Sequence, residues 1–534
     1  MQPVGRRAIN VAGCTDPGGA DQMTDLLVRA AMLLLALGCI TPVLAHEKTP
    51  PAAALPATGS LGETNFPNSG AAAAQPDFMR GLLLLHSFEF DAARESFRAA
   101  QAKDPGFVMA YWGEALSHNM PIWGEQGLEA ARAVLQRLGP TREARLAKAA
   151  TERERGYLAS VEALYGDGAK VERDARFNQA LGELARKFPE DLDARSFYAL
   201  SWLGLSGATR DTANYMRAAA EAEAVYEIDP RHPGALHYLV HAYDDPVHAP
   251  LGLRAARRYG KVAPAAAHAQ HMPSHIFFAL GMWDDAIEAN VASLATARSH
   301  GQGGYHALEW LAYAYLQQGM REDAAKLVQS VADDVVRKPA QDNRTSLAYT
   351  RAMWLVETDS ADPAAWADVD ETGIKAIYAF SAYDFARGVV AARNGNVAAA
   401  EAQLRRLRAR TEAARANAVG VVASRYDSVT LEELEQGRIL AAALEATILF
   451  AQGKRDDGLG RLREAIARSD SMAFEYGPPY SAKPLDELLG DLLLAAGKPA
   501  EAAAAYRKAL AVHPNRRLAA AGLATALGAT SPGD

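Results

Sequence analysis

With 534 residues, 49% of them hydrophobic, the chain is too long for one compact core, so several domains or an elongated array is expected. Its formal charge of −8 argues against a nucleic-acid partner, which would need a concentrated basic face. Ala, Leu, Glu and Arg fill the periodic stretches and β-branched runs are scarce, which points to an all-α fold.

The N-terminus reads as an export signal. From Met23, the candidate true start, Arg29 leads into the apolar stretch Ala30–Ile40 and then Val43-Leu44-Ala45 before His46. A short apolar core followed by small residues suits cleavage after residue 45, and the run is too short to span a bilayer. Residues 1–45 are therefore read as a signal peptide of a soluble periplasmic protein. Cys39, within Ala36-Leu37-Gly38-Cys39, fits a lipoprotein box poorly, so lipid anchoring is the lesser reading. No transmembrane segment is expected beyond the signal. Cys14 and Cys39 are the only cysteines and both precede the cleavage point, so a mature chain has no thiol. Any metal site must then use His, carboxylate or Met. Residues 46–76, rich in Pro, Ala, Gly and Ser, read as a flexible linker, with structure starting near Asp77.

From residue 77 to about 530 the sequence repeats itself. Gly81, Ala93, Phe97, Ala100 and Pro105 place a small residue in one helix and Ala, an aromatic and Ala in the next. Leu489-Gly490, Gly497, Ala502, Tyr506, Ala509 and Pro514 do the same near the C-terminus. Ala218, Ala222 and Pro230 mark another second helix. Gly281 with Ala286, Gly319 with Ala324, Gly388 with Gly395 and Ala400, and Ala446 with Gly453 mark four further units. This is the tetratricopeptide pattern, and it predicts an α-solenoid: a right-handed superhelix of helix-turn-helix units. Small residues let paired helices approach, and the aromatic fills the gap between units. Segments 126–168, 341–372 and 471–484 are less regular, and a last helix near Arg516–Leu527 is expected to cap the stack.

Histidine is the unusual component. Nine of the thirteen, from His232 to His306, fall within 75 residues. His237 and His241 are four apart on a predicted helix with Asp244 three further on, so all three share one face. His268, His271 and His275 follow at steps of three and four on the next first helix, although Pro273 interrupts it. His306, Glu309 and Tyr313 follow on the one after. His237, His241, Asp244, His268, His271 and His275 together form a candidate ligand set for a divalent ion such as Zn²⁺ or Fe²⁺. The competing reading is structural: histidines that hold loops such as Asp244-Asp245-Pro246. The string His237-Tyr238-Leu239-Val240-His241 lacks the Glu of a zinc-protease helix. No phosphate loop, serine elbow or paired-carboxylate signature stands out, so no catalytic residue is assigned. The segment Tyr476-Gly477-Pro478-Pro479-Tyr480 with Lys483-Pro484 must be a rigid loop, either a connector or a lid bringing Lys483 to a groove.

Several of these strings resemble a family of bacterial exported tetratricopeptide-repeat proteins of unassigned function. They are Ala110-Tyr111-Trp112-Gly113-Glu114, His237 to Pro246, His271-Met272-Pro273-Ser274-His275-Ile276-Phe277, Tyr305 to Trp310, and Gly477-Pro478-Pro479 with Lys483-Pro484. The resemblance implies a concave surface lined by first helices that binds a protein or peptide, with His271, His275, His306, Glu309 and Tyr313 facing it. Three functions are thus open. The first is a non-enzymatic periplasmic scaffold for a protein or peptide partner. The second is a metal-binding protein. The third is a metal-assisted hydrolase with Asp244, Asp245 or Glu309 as base.

Overall fold

The computed structural model describes residues 60–206, 210–358, 368–419, 429–472 and 477–528. The expected signal segment, both cysteines, the first part of the expected linker and Tyr476 lie outside them. The described residues form helices joined by short turns. In order these are α1 (Gln75–His86), α2 (Phe90–Lys103), α3 (Val108–Leu116), α4 (Leu128–Leu138), α5 (Arg142–Leu146) and α6 (Glu152–Leu164). Next come α7 (Lys170–Lys187), α8 (Leu192–Gly204), α9 (Thr212–Ile228), α10 (Pro233–Ala242), α11 (Ala249–Val262), α12 (Ala267–His271) and α13 (Pro273–Ala279). Then follow α14 (Trp283–Ser299), α15 (Tyr305–Gln317), α16 (Arg321–Arg337), α17 (Gln341–Thr358), α18 (Tyr378–Arg393) and α19 (Val397–Arg415). The last are α20 (Leu431–Ala451), α21 (Arg455–Ser469), α22 (Leu485–Ala495), α23 (Pro499–Val512) and α24 (Arg517–Gly528). Two short ladders, 119–120 with 125–126 and 418–419 with 429–430, are the only strands among the described residues. No helix among them is long and apolar enough to cross a membrane.

The repeat pattern works as its chemistry requires. Phe97 of α2 lies between two glycines: a Cβ at Gly81 would come within 2.9 Å of its ring, and one at Gly113 within 2.3 Å. Tyr506 of α23 fills the same place between Gly490 and Gly522, at 2.6 and 2.3 Å. Aromatic and small residues are thus complementary halves of one contact. Five hairpins turn on glycines in the left-handed region, Gly281, Gly319, Gly395, Gly453 and Gly497, with φ between 64° and 84°. In each, the next amide bonds a carbonyl five residues back, as from Met282 to Phe277 at 2.8 Å and from Lys498 to Leu493 at 2.9 Å. These helix-turn-helix units define a tetratricopeptide-type α-solenoid.

Both ends of this array are tied to its middle. Residues 60–76, expected to be linker, instead form a strap with a 3₁₀ turn at Ala72–Ala74. The Ala265 amide donates to the Ser60 carbonyl at 3.1 Å, and Thr64 Oγ1 donates to Asp193 Oδ2 at 2.8 Å. Phe66 is buried against Phe78, Trp112 and Tyr157, with centroids at 5.3, 5.9 and 5.1 Å. One buried aromatic outweighs the loop-like composition around it.

At the other end, Trp283 Nε1 donates to the Asn515 carbonyl at 3.0 Å, and Arg516 Nη1 donates to Tyr313 Oη at 2.6 Å. Arg516 is fully buried and pairs with Glu357 at 2.6 Å and Glu487 at 2.5 Å. Lys483, considered as a lid residue, is instead buried in this network beside Glu487 and Asp491.

A packing test is available at Gly234, in the first turn of α10. A Cβ there would lie 2.4 Å from His86 Nδ1, and that ring is held by Tyr238 Oη at 2.9 Å and Asp193 Oδ1 at 2.8 Å. Gly→Ala at an open helix position is stabilising, by up to about 1 kcal/mol. Here Gly234→Ala is expected to cost about 1–3 kcal/mol through overpacking, read as a lower urea midpoint.

Candidate metal centre

Six of the nine clustered histidines form two triads. The first triad joins two helices: His237 and His241 from α10, one turn apart, and His268 from α12. His237 Nε2 lies 3.1 Å from His241 Nε2 and also 3.1 Å from His268 Nε2. Its other nitrogen, Nδ1, is 2.6 Å from the carbonyl of His86, the last residue of α1. A carbonyl only accepts, so Nδ1 carries the proton. Burial and then the neighbouring His241 hold the ring well below its ordinary pKa, so it is neutral. Its Nε2 therefore offers a single lone pair to two nitrogens at equal distance. A proton can satisfy at most one of those contacts, whereas a cation satisfies both. An ion ~2.0–2.1 Å from each nitrogen in tetrahedral geometry would space them by about 3.3 Å.

The second triad is His271 of α12, His275 of α13 and His306 of α15, with three ring nitrogens within 4.8 Å of one another. His271 and His275 Nε2 are 3.1 Å apart. His275 Nδ1 donates to Asp244 Oδ2 at 2.5 Å. Asn290 donates its amide to the Ala286 carbonyl at 2.8 Å, which leaves Asn290 Oδ1 to accept from His271 Nδ1 at 2.7 Å. Burial, then His275, lowers the His271 pKa to about 3. Outer partners that fix Nδ1–H and aim Nε2 inward are the arrangement found behind histidine metal ligands. Burial likewise holds His241 and His268 well below the usual imidazole range.

Pro273 does not break the helical path. It occupies the first turn of α13, where no amide is needed, and Met272 keeps helical angles. The single continuous face expected for His268, His271 and His275 is instead divided: His268 joins the first triad and the other two the second. Asp244, expected among the ligands, stands outside both triads, with its Oδ2 behind His275 as that ring's acceptor. Asp245 is held by Arg210 at 2.9 Å and His248 at 2.8 Å. Of the residues expected to face a groove, His271, His275, Glu309 and Tyr313 are buried, and His306 alone is exposed. Tyr313 is turned toward Arg516 rather than an open surface, because that guanidinium needs a buried acceptor.

Structural duty accounts for two more of the nine. His232 Nδ1 caps α10 by accepting from the Ala235 amide at 3.2 Å, and His248 closes the Asp245 loop. A third cluster, His86 with Asp193 and His232, is hydrogen-bonded throughout: Asp193 takes protons from His86 and from Thr64. It needs no ion.

Sequence reasoning missed Phe88. It occupies the turn position of the first hairpin that glycine fills in the five units above, and its φ of 56° is left-handed. For an aromatic residue this costs about 1–3 kcal/mol. Its ring covers the first triad, with centroids 4.2, 5.6 and 5.5 Å from His237, His241 and His268. A bulky aromatic at a turn that elsewhere demands glycine was the available signal.

No family model matches the chain, and no curated protein does. Among solved structures it is similar to the human IFIT1 dimer with m7Gppp-AAAA, at 13% identity over 87% of this chain and 96% of that one (TM-score 0.35). Similarity to yeast Tom70 is 11% over 84% and 87% (TM-score 0.32). For the APC/C hetero-tetramer Cut9-Hcn1 it is 13% over 85% and 76% (TM-score 0.33).

Proposed function

We propose that the protein is a metal-binding repeat protein. His237, His241 and His268 hold one borderline divalent cation, and His271, His275 and His306 hold a second. The observation that carries this reading is His237 Nε2, equidistant from two other imidazole nitrogens while its own proton is committed to the His86 carbonyl. An all-imidazole donor set with no thiolate suits zinc, copper, nickel or ferrous iron and excludes calcium and magnesium as preferred ions. The solenoid serves as a rigid frame that brings ligands from α10, α12, α13 and α15 together. The apolar run Ala30–Ile40 supports export, which would expose the centre to metal outside the cytoplasm.

The hydrolase alternative is the less favoured reading, because Asp244 Oδ2 bonds His275 and Asp245 bonds Arg210. A peptide or protein partner, where one is bound, would meet the centre at His306.

Purified chain without a histidine tag, dialysed against zinc and passed over a desalting column, is expected to carry about two zinc ions by elemental analysis, one per three-histidine site. His268→Gln and His306→Gln should each remove about one of them while circular dichroism stays helical. Unchanged zinc content in both folded variants would refute the assignment.

A further inference from the structure

The two triads are neighbours of unequal access. They share the α12–α13 segment, where His268 serves the first triad and His271 and His275, at helical spacing, serve the second. His241 and His275 rings lie 6.0 Å apart across the gap, and His268 and His271 rings 6.3 Å. The first triad is the more covered: His237 and His241 are buried and His268 half-buried, Phe88 lies against all three rings, and Tyr259 stacks on His237 at 5.2 Å.

The second triad is closed on one side by Trp310, whose ring lies 4.3 Å from His275 and 5.0 Å from His271. One turn before Trp310 stands His306, exposed at the second position of α15. That helix begins after a turn with left-handed glycines at Gly301 and Gly304, φ 74° and 67°. The third ligand of this triad thus sits at a solvent-facing helix end, and the other two, His271 and His275, are buried. The Asp244 carboxylate adds a negative charge to the open triad. The first triad has no carboxylate bonded to its rings among the described contacts.

We propose that the second triad is the loading site and the first the retaining site: a divalent cation binds at His271, His275 and His306, then passes one helical turn to His237, His241 and His268. This rests on the metal-binding reading above and extends it from occupancy to order of exchange. An ion at the open site can trade ligands one at a time through His306. An ion beneath Phe88 has no exposed ligand through which to leave, since His237 and His241 are buried and His268 is half-buried.

The test is zinc release and uptake by the full chain, with zinc as the probe and a chromophoric chelator as the readout. Fully loaded protein is expected to release its zinc in two phases of similar amplitude, differing about tenfold or more in rate. His306→Gln should abolish the fast phase and slow zinc uptake by the remaining site about tenfold. His268→Gln should abolish the slow phase. Phe88→Ala should accelerate the slow phase toward the fast one, and Phe88→Leu serves if the alanine variant is not helical. A single release rate for both ions, or uptake in His306→Gln at the wild-type rate, would overturn the relay and leave the metal reading standing. Failure of wild-type protein to hold zinc at all would overturn both.

Discussion

Zinc at a hundredfold excess over its dissociation constant is expected to stabilise the folded chain by about 2.7 kcal/mol for each occupied site. The measurement is thermal unfolding with and without zinc, beside His237→Ala. That variant should lose the share of the first triad and keep that of the second. The effect should persist in mild acid, and its sign follows from burial. His237, His241 and His268 take up a proton only well below the ordinary value of about 6.5, and His271 does so only at about 3. A ligand that is already neutral has no proton to lose, so zinc binding at the first triad should hold at pH 5.5, where a site with an exposed histidine such as His306 weakens. In the metal-free protein the same groups act the other way. Unfolded histidines gain protons near pH 6.5 and folded ones do not, so stability should fall as pH drops below that value. A zinc effect already absent at pH 5.5 would contradict the burial argument.

Arg516→Met is expected to cost about 3–5 kcal/mol. Arg516, Glu357 and Glu487 are fully buried, so removing the guanidinium leaves two carboxylates without its charge. Burial alone would raise the Glu487 pKa, but the Arg516 and Lys483 charges outweigh it and hold it below the usual range. Stability from Glu487 is therefore present above its unfolded pKa, about 4.5, and is lost as pH falls below it. Urea unfolding of the wild type should show this acid loss, and Arg516→Met should show less of it. A cost below about 1 kcal/mol would place the network among weak surface pairs.

Much of the architecture is legible in the sequence because its marks are local. Gly81 with Phe97, Gly490 with Tyr506 and the turn glycines recur at fixed offsets, and each offset has a steric reason. The concentration of histidines is legible for the same reason. Their partition is not, because His268 meets His237 across helices and no spacing along α12 reveals which neighbour each ring faces. Asp244 shares a face with His241, yet side-chain direction makes it an acceptor for His275 rather than a ligand. Phe66 and Arg516 escape because each is a single residue in a stretch of ordinary composition, and their burial depends on partners on other helices, such as Tyr157 for Phe66 and Tyr313 for Arg516.

The strap at residues 60–66 and the clasp at 515–517 bear on how the protein is made. In an open array each unit contacts only its neighbours, so units can fold as they emerge and be gained or lost without affecting the rest. Here the Ser60 carbonyl waits for Ala265 as its donor, and Trp283 and Tyr313 gain their hydrogen-bond partners only when Asn515 and Arg516 arrive. Such long-range closure slows folding and makes unfolding a single event rather than fraying from the ends. It also constrains evolution, since duplicating or deleting one unit would pull both fastenings out of register.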